Sequence, residues 1–357
     1  MAQLSVGIVG AGFIASLKHL PALQALRGKA RIAAICDQNT AQARKLAEKF
    51  GVRNVFQSVD EMLAKEKLDV VDICTPPATH SAVAIQAIEA GRNVLIEKPM
   101  ALHVGECDAI IQAAQRCGVK VCVVHSDLFY PPFLKARKLV AGGALGDFMG
   151  MRVFLSTPAS YMTSRQDHWA HRLPGGVIGE TGPHIVYMTL AYINPIKDVA
   201  VHAFKRLPQY PWSAFEDYRL ELIGEKASCS VTAVYTSNQW SALVDLWGTE
   251  GGMTLDLEAM SLVRHRRPAL SPARIATSQL SESLQMVRDT VVAGTSVLSK
   301  RYARTHDILI AAFLESIVRG TEPPVTAEEG REAVRVMNLI AERLAHQKLQ
   351  SGVGRPA

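Results

Sequence analysis

Up to about residue 124, short runs of apolar and β-branched residues alternate with amphipathic stretches at helical spacing. This alternation is typical of a parallel sheet with helices on both faces. The pattern predicts strands over 4–9, 30–36, 53–56, 70–74, 93–96 and 120–124, and helices over 13–26, 40–49, 59–66, 79–90 and 104–117. We therefore predict a doubly wound α/β domain over residues 1–124.

From residue 125 onward, longer runs alternate apolar and polar positions with period two, as in residues 217–222. One apolar and one polar face predict a mostly antiparallel sheet that is open on one side. The predicted strands are 149–156, 198–206, 217–224, 228–236, 242–248 and 252–258, the predicted helices are 176–192, 305–319 and 327–348, and 266–282 is predicted as a surface loop. Residues 125–357 are assigned to a second, α+β domain whose C-terminal helices are free to pack back on the first.

Composition and charge narrow the class of protein. The chain has 357 residues, of which 48% are hydrophobic and 20% are charged, so it is long enough for two globular cores. The net charge is +6, but the one dense basic run, Arg264 to Arg267, lacks interleaved aromatic residues and is interpreted as a solvated loop rather than a nucleic-acid contact. No apolar run is long enough for a membrane span. The first strand begins at Leu4, which leaves no room for a leader, so we expect a cytoplasmic protein.

The six cysteines are scattered without C-x-x-C spacing and are interpreted as reduced core residues that hold no metal. His168 and His171 stand three residues apart, which is a spacing that metal ligands use. No carboxylate or cysteine accompanies them at ligand spacing, so no metal is predicted here either.

The chemistry begins at a glycine-rich turn between the first strand and the first helix. Its candidate cofactor-binding residues are Gly10, Gly12, Phe13 and Ile14. Gly10 tolerates positive φ, Gly12 lets a pyrophosphate approach the backbone, and the N-terminus of the following helix attracts phosphates. Asp37 follows the second strand, where a carboxylate accepts hydrogen bonds from ribose hydroxyls and repels a 2′-phosphate. The turn therefore predicts a dinucleotide site that favours NAD over NADP.

Two further segments follow the fourth and fifth strands. Thr75-Pro76-Pro77 with His80 follows the fourth strand, and Glu97-Lys98-Pro99 follows the fifth. In an open α/β sheet, ligands bind at the carboxyl ends of the strands, so both segments converge on the side where the turn holds the pyrophosphate. This places the Lys98 ammonium near the nicotinamide half of the cofactor, unless the Glu97–Lys98 pair is only a surface salt bridge.

In the second half, Glu180, His184 and Tyr187 stand at i, i+4 and i+7 and so share one face of the predicted helix. Such a face either handles a proton or makes only a local hydrogen bond. Before it, His168, Trp169 and Arg172 offer a ring face and hydrogen-bond donors to a substrate, with anchoring of the loop as the alternative for Trp169.

In this order and spacing, the glycine turn, Asp37, Thr75-Pro76-Pro77, His80 and Glu97-Lys98-Pro99 resemble the Gfo/Idh/MocA oxidoreductases. The resemblance covers nearly the whole chain, including the ending 323–330. It implies an N-terminal Rossmann domain and a C-terminal open-faced sheet with helices on one side. It also implies a homodimer or homotetramer formed through that sheet.

For the site, the resemblance implies that Lys98 is the active-site lysine and places His184 on the family histidine. His184 is the expected base, Lys98 the stabiliser of the substrate oxygen, and Glu180 the group that orients the imidazole or binds substrate. Glu180 and Tyr187 depart from positions that are often Asp in the family. Leu128 replaces a frequent Arg, so Tyr130 is a candidate substrate contact or, alternatively, a packed hinge residue.

The expected function is an NAD-dependent oxidoreductase that acts on a secondary alcohol or ketone of a sugar, cyclitol or related polyhydroxylated ring. Two alternatives stay open. One is a lyase, epimerase or glycosidase that uses tightly bound NAD for transient oxidation without net redox change. The other is an NAD-binding sensor without catalysis, which the presence of both Lys98 and His184 disfavours.

Overall fold

The computed structural model describes residues 3–266, 269–298 and 304–351. These residues divide into two compact units. The first contains residues 3–129 and 304–335, and the second contains residues 130–298 and 336–351. The first unit extends to residue 129, beyond the predicted boundary after residue 124, and it includes residues 304–335, a packing that the prediction left open.

The first unit is built on a six-stranded parallel sheet in the order β3-β2-β1-β4-β5-β6. The strands are β1 (Leu4–Val9), β2 (Ala30–Cys36), β3 (Asn54–Phe56), β4 (Val70–Ile73), β5 (Asn93–Ile96) and β6 (Val121–Val123). The order reverses between β1 and β4, and such a switch point opens a crevice at the carboxyl ends of the strands. The predicted doubly wound Rossmann architecture is confirmed.

Five helices connect these strands: α1 (Leu20–Ala25), α2 (Thr40–Phe50), α3 (Val59–Lys65), α4 (His80–Glu89) and α5 (Val104–Cys117). The first predicted helix is shorter than expected, because a π-helical turn over Ala15–His19 precedes α1. Pro21 lies in the first turn of α1, where its missing N–H interrupts the regular hydrogen-bond ladder. The π-turn places His19 in the core, with no exposed surface.

The second unit contains a seven-stranded sheet in the order β13-β12-β11-β7-β10-β9-β8. Its strands are β7 (Phe148–Ser156), β8 (Asp198–Phe204), β9 (Asp217–Ile223), β10 (Ser228–Val234), β11 (Ser241–Gly248), β12 (Gly251–Asp256) and β13 (Ser261–His265). All neighbouring strands are antiparallel except β7 and β10. Alternate side chains along these strands are buried and exposed, so the predicted open-faced, mostly antiparallel sheet is confirmed.

The second unit also contains α7 (Ile178–Leu190), which was predicted. Three of its elements were not predicted: β13, α6 (Pro131–Ala141) and most of α8 (Pro272–Leu298). Arg264 and His265 lie in β13, so the basic run is not the predicted loop, and Arg267 lies outside the described residues. The predicted loop 266–282 is wrong from Pro272 onward. Pro272 is suited to the first helical position, and the Ser271 hydroxyl accepts the Arg274 N–H at 3.4 Å.

Glutamine side chains cover both edges of the seven-stranded sheet. On β13, the Gln285 amide accepts the Arg264 N–H at 3.0 Å and donates to the Arg264 carbonyl at 3.2 Å. On β8, the Gln347 amide accepts the Ala203 N–H at 2.9 Å and donates to the Ala203 carbonyl at 2.6 Å. Each amide pairs with one edge residue in the way a neighbouring strand would.

Two C-terminal helices complete the chain, α9 (Thr305–Arg319) and α10 (Ala327–Ser351). In the first unit, α9 packs against the turn Ser126–Phe129 and buries Leu309, Ile310, Phe313 and Leu314. The Val325 carbonyl accepts a hydrogen bond from the Val123 N–H at 3.4 Å. This contact extends the edge of β6. No helix among the described residues is long and apolar enough to cross a membrane.

Candidate active site

The glycine turn of the first unit combines one position that requires glycine with one that leaves room for a ligand. Gly10 has φ +99°, and a Cβ there would lie 2.7 Å from the Cys74 carbonyl carbon and 2.9 Å from the Thr75 nitrogen. A Cβ on Gly12 would meet no atom within 4 Å. The backbone at Gly12 is therefore open to a phosphate, as the predicted pyrophosphate site requires.

Asp37 lies at the end of β2 and is fixed by two backbone amides. Its Oδ2 accepts the Ala11 N–H at 2.7 Å, and its Oδ1 accepts the Asn39 N–H at 2.8 Å. The first contact ties the carboxylate directly to the glycine turn. Each carboxylate oxygen keeps a lone pair for a ribose hydroxyl, so the residue fits the predicted role in binding the adenosine ribose.

A groove of about 630 Å³ lies beside this turn and provides room for the adenosine half of a dinucleotide. Phe13 stands at its rim and is largely exposed. The lining residues are Ala11, Gly12, Phe13, Ser16, Asn39, Ala41, Gln42, Lys45, Leu46 and Lys49. The residues present therefore fit NAD, with the turn at the phosphates and Asp37 at the ribose.

His80 links the two loops that follow β4 and β5. Its Nδ1 lies 2.8 Å from the Pro99 carbonyl oxygen and its Nε2 lies 2.7 Å from the Thr75 carbonyl oxygen. The side chain is fully buried, and burial lowers the pKa of its imidazole. A neutral imidazole has one N–H, so His80 donates a hydrogen bond to one of these two carbonyls and lies beside the other.

Beneath Lys98 lies a buried cluster of charged side chains that the sequence analysis missed. His19 Nδ1 is 2.9 Å from both carboxylate oxygens of Asp72, and His19 Nε2 is 2.9 Å from Glu97 Oε1. His306 Nε2, from α9, is 3.7 Å from the same Glu97 oxygen. Glu97 Oε2 accepts the Lys98 N–H at 3.1 Å, so the cluster fixes the backbone from which the Lys98 side chain leaves.

The charges around this cluster determine which of its two histidines is protonated. Burial alone would lower the pKa of His19, but the attraction and hydrogen bonds of Asp72 and Cys74 together outweigh burial and raise the pKa well above its ordinary value. Burial would raise the pKa of Glu97, but hydrogen bonds from His19 and His306 bring it well below the ordinary value. Burial lowers the pKa of His306. An imidazolium at His19 therefore bridges two carboxylates while His306 stays neutral.

The same nitrogen and oxygen atoms of His19, Glu97 and His306 lie within 4.8 Å of one another, as a metal site would also require. The two short contacts of His19 are those of a ring that donates a hydrogen bond from each nitrogen. We therefore interpret the cluster as an ion pair. One sequence signal points to it, namely a charged residue, Asp72, within the buried strand β4.

In the second unit, α7 carries the three predicted residues on one face. Gly175 and Gly176 precede it with φ +84° and +72°, conformations that favour glycine. Tyr187 Oη lies 2.7 Å from His184 Nδ1, whereas His184 and Glu180 are partly exposed. Tyr187, which was also predicted as a substrate contact, is only 2% exposed. Its phenol oxygen holds the His184 ring.

An aromatic cluster surrounds the loop that precedes α7. The His168 and Trp169 rings stack at 5.8 Å, and Tyr161 contacts both His168 and Trp240. Trp169 and Trp240 are largely exposed. Burial and the nearby Arg165 lower the pKa of His168. Sequence reasoning missed Tyr161 and Trp240, which lie in loops far apart in the chain and show no motif.

The remaining candidates of the second unit differ in exposure. Arg172 is exposed, and Tyr130 precedes α6 and is partly exposed. His171 Nε2 lies 3.2 Å from the Met162 carbonyl oxygen and 3.1 Å from the Arg165 carbonyl oxygen, so it anchors the loop.

The reversed strand order and the glycine turn define a dinucleotide-binding protein of the Rossmann class. Two family models match the chain in succession: an oxidoreductase family with an NAD-binding Rossmann fold over residues 4–125, and the GFO/IDH/MocA C-terminal domain over residues 133–254. The chain therefore belongs to the Gfo/Idh/MocA oxidoreductases. This confirms the resemblance and the predicted NAD cofactor.

Two named relatives act on sugars. The chain is 28% identical to the D-apiose dehydrogenase of Paraburkholderia graminis over 283 residues, which are 77% of this chain and 73% of that protein. It is 26% identical to the D-glucoside 3-dehydrogenase of Escherichia coli over 211 residues, 57% and 58% of the two chains. For three curated relatives, including the latter, the match spans only 56–63% of their length.

The fold also matches solved structures over nearly the whole chain. The WlbA dehydrogenase from Bordetella pertussis, crystallised with NADH and UDP-GlcNAcA, superposes with a TM-score of 0.78. The sequence identity is 20%, and the match covers 97% of this chain and 96% of the other. This likeness concerns the fold.

Proposed function

We propose that this protein is an NAD-dependent dehydrogenase that interconverts a secondary alcohol and a ketone on a sugar, cyclitol or related polyhydroxylated ring. The observation that carries the proposal is that each unit fixes the surroundings of one proton-handling group. Lys98 follows β5 above a buried ion-pair cluster, and His184 is held on α7 by Tyr187. The relatives that act on D-apiose and D-glucosides support the substrate class.

In the proposed mechanism, the hydroxyl oxygen of the substrate loses its proton to His184. NAD, which the glycine turn and Asp37 would hold, would supply the acceptor for the hydride of the carbon that bears this hydroxyl. The C–H and O–H bonds break, a C=O bond forms, and the proton stays on the imidazole. The Lys98 ammonium donates a hydrogen bond to the oxygen as negative charge develops on it.

Tyr187 would orient the imidazole of His184 for this step, because its Oη lies within hydrogen-bond distance of Nδ1, at 2.7 Å. A phenol orients the ring but brings no negative charge to stabilise an imidazolium. Glu180, one helical turn before His184 on the same face, supplies a carboxylate instead, which we propose orients the imidazole or binds a substrate hydroxyl.

For substrate binding we propose the exposed ring of Trp169 as the surface for the apolar face of a sugar ring. His168 and Arg172 would donate hydrogen bonds to hydroxyl groups, and Tyr130 would be a further contact. The stacking of His168 on Trp169 supports this, because it fixes the orientation of the indole.

We also propose that the protein works in the cytoplasm as a homodimer or homotetramer formed through the open face of the second sheet. The exposed face of that sheet carries the large apolar side chains Met149, Phe204, Ile223 and Trp247. All six cysteines are free, and five of them are buried, as suits a reducing compartment.

The test begins with denaturing the purified protein, identifying any released nucleotide by mass, and assaying a sugar and cyclitol panel for NADH formation. With an active substrate, Lys98→Met and His184→Ala should each lower kcat by about 10²- to 10⁴-fold. Lys138→Met and His202→Ala, at exposed positions on α6 and β8, are matched controls and should keep the activity.

If Lys98→Met and His184→Ala both turned over like the wild type, the assignment would be wrong. Substrate conversion without net NADH formation would favour the redox-neutral alternative. Tight NAD binding without turnover of any sugar would favour a sensor.

A further inference from the structure

Helix α8 of the second unit is oriented with its apolar side toward solvent. The seam residues Leu280, Leu284, Val287, Val291 and Leu298 are between 58% and 85% exposed. Helical geometry places them along one stripe, since they follow one another at intervals of four, three, four and seven residues. A single exposed leucine needs no explanation, but a stripe along a whole helix does.

The polar side of α8 is the side that binds the sheet. Asp289 Oδ2 accepts the Leu262 N–H of β13 at 3.0 Å, and Gln285 pairs with the backbone of Arg264. Glu282 Oε2 lies 3.4 Å from His265 Nδ1. The seam lies on the opposite side of the helix, so the bonds that hold α8 to β13 also point the seam outward.

The spacing along the seam is that of a coiled coil. Thr277, Leu280, Leu284, Val287, Val291, Gly294 and Leu298 occupy successive a and d positions of a heptad repeat. The flanking e and g positions over 281–295 are Ser or Thr apart from Arg288, so no block of like charges repels a second helix. Gly294 lets a facing backbone approach closely. This pattern is suited to one partner, another helix with the same seam.

We propose that α8 is a homo-oligomer interface in which the seam packs against the seam of a second copy of this chain. Burying one leucine or valine side chain removes on the order of 100 Å² from water. Five such side chains on each of two copies remove roughly 1,000 Å² in total, near the lower limit for a specific interface. Charge also favours a copy over a lipid surface, because residues 272–298 carry two arginines and two acidic residues.

The test measures molar mass by light scattering and sedimentation over about 1 to 100 μM protein. Leu284→Lys should halve the mass of the wild-type assembly and raise its dissociation constant at least about a hundredfold, because a two-fold interface loses two leucines. The double variant Leu280→Ser with Val291→Ser introduces no charge into the seam. It should also lower the mass of the assembly and raise its dissociation constant.

Met286→Lys is the matched control, since Met286 is 55% exposed on the same helix but lies off the seam. It should keep the wild-type mass, as circular dichroism should keep the wild-type melting for all variants. A wild-type protein that is monomeric at about 100 μM, or a Leu284→Lys variant of unchanged mass, overturns the proposal. Seam-dependent sedimentation of a monomer with phosphatidylglycerol vesicles would equally overturn it and identify lipid as the occupant.

Discussion

Tyr187 shows how one side chain changes the chemistry expected of a site. The sequence placed it on the face of His184 and could not say what it touches. In the structure its ring is buried and its oxygen lies 2.7 Å from His184 Nδ1. Because a substrate contact at this position would need exposure, we propose that the residue acts through His184 rather than on the substrate.

Replacing Tyr187 with phenylalanine tests this role. The variant keeps the packing of the ring but removes one hydrogen bond, so the free energy of unfolding should fall by about 1 kcal/mol. We expect kcat to fall about tenfold with little change in KM, because the imidazole loses its orientation and the substrate keeps its contacts. Stopped-flow and steady-state kinetics measure both. An increase in KM alone would mean that the phenol binds substrate.

At the residue scale, a position is best predicted from sequence where its local role suits only one kind of residue. Asp37 after a strand and Gly10 before a helix were predicted from such roles, and both lie as expected. His19 and His306 were not predicted to act together, since they are 287 positions apart and neither stands in a motif. Contacts of that range follow from the packing of the unit, which a single sequence does not display.

At the scale of the element, substitutions at the two glycines of the turn should affect protein stability and NAD binding differently. Gly10→Ala places a Cβ at 2.7 Å from backbone and forces a side chain onto φ +99°, so we expect a loss of about 1–3 kcal/mol in stability and weaker NAD binding. A Cβ at Gly12 meets no protein atom within 4 Å, so Gly12→Ala should melt like the wild type while losing affinity for NAD. Thermal unfolding and NAD titration separate the two. Equal melting temperatures for both variants would contradict this.

The buried cluster joins the π-helical turn, β4, β5 and α9. Its two histidines, His19 and His306, should make the free energy of unfolding depend on pH in opposite directions. The pKa of His19 is raised above 6.5, so its stabilisation is complete below about pH 6.5 and declines as the pH rises through the folded-state pKa. The pKa of His306 is lowered below 6.5, so stability falls as the pH drops below about 6.5 and the unfolded chain takes up a proton.

Urea unfolding of His19→Gln and His306→Gln between about pH 5 and pH 9 measures these slopes. His19→Gln should lower the free energy of unfolding by about 3–5 kcal/mol near pH 6, and by less near pH 9. His306→Gln should instead lose the acid sensitivity of the wild type. Parallel pH profiles for both variants and the wild type would contradict the assigned protonation states.

Element prediction succeeded where periodicity and burial agree. β1, β2, β5 and α5 were predicted at their observed bounds, because β-branched runs or amphipathic helical spacing end at clear glycine or polar boundaries. The start of α8 was missed because Pro272 and the serines near it were interpreted as loop residues, whereas Pro272 occupies the first helical position. Strand β13 was missed because it is short and its end is basic.

At the scale of the whole molecule, the first unit is completed by residues from the far end of the chain. The sequence predicted a first domain over residues 1–124 and left open that the C-terminal helices pack on it; α9 does so and buries Leu309, Ile310, Phe313 and Leu314 in that unit. Each of these side chains contributes about 1.5–3 kcal/mol on burial, and together they are comparable to the total stability of a typical domain.

A fragment of residues 1–129 should therefore lack a cooperative thermal transition and fail to bind NAD. Joining residues 304–335 to it through a short Gly/Ser linker should restore both, since α9 packs against Ser126–Phe129. Circular dichroism and fluorescence titration with NAD are the measurements. Cooperative melting of the shorter fragment would show that α9 is dispensable.

The glutamine amides at both edges of the second sheet also bear on how the protein avoids aggregation. An uncovered edge strand is a template for strands of other molecules, and growth from it has no natural end. Gln285 and Gln347 already satisfy the backbone of Arg264 and Ala203, so a foreign strand would have to displace an intramolecular bond at either edge. In the proposed homo-oligomer, the second unit would associate through its faces and helices, where a two-fold contact closes the assembly at a finite size instead of letting it grow into a fibre.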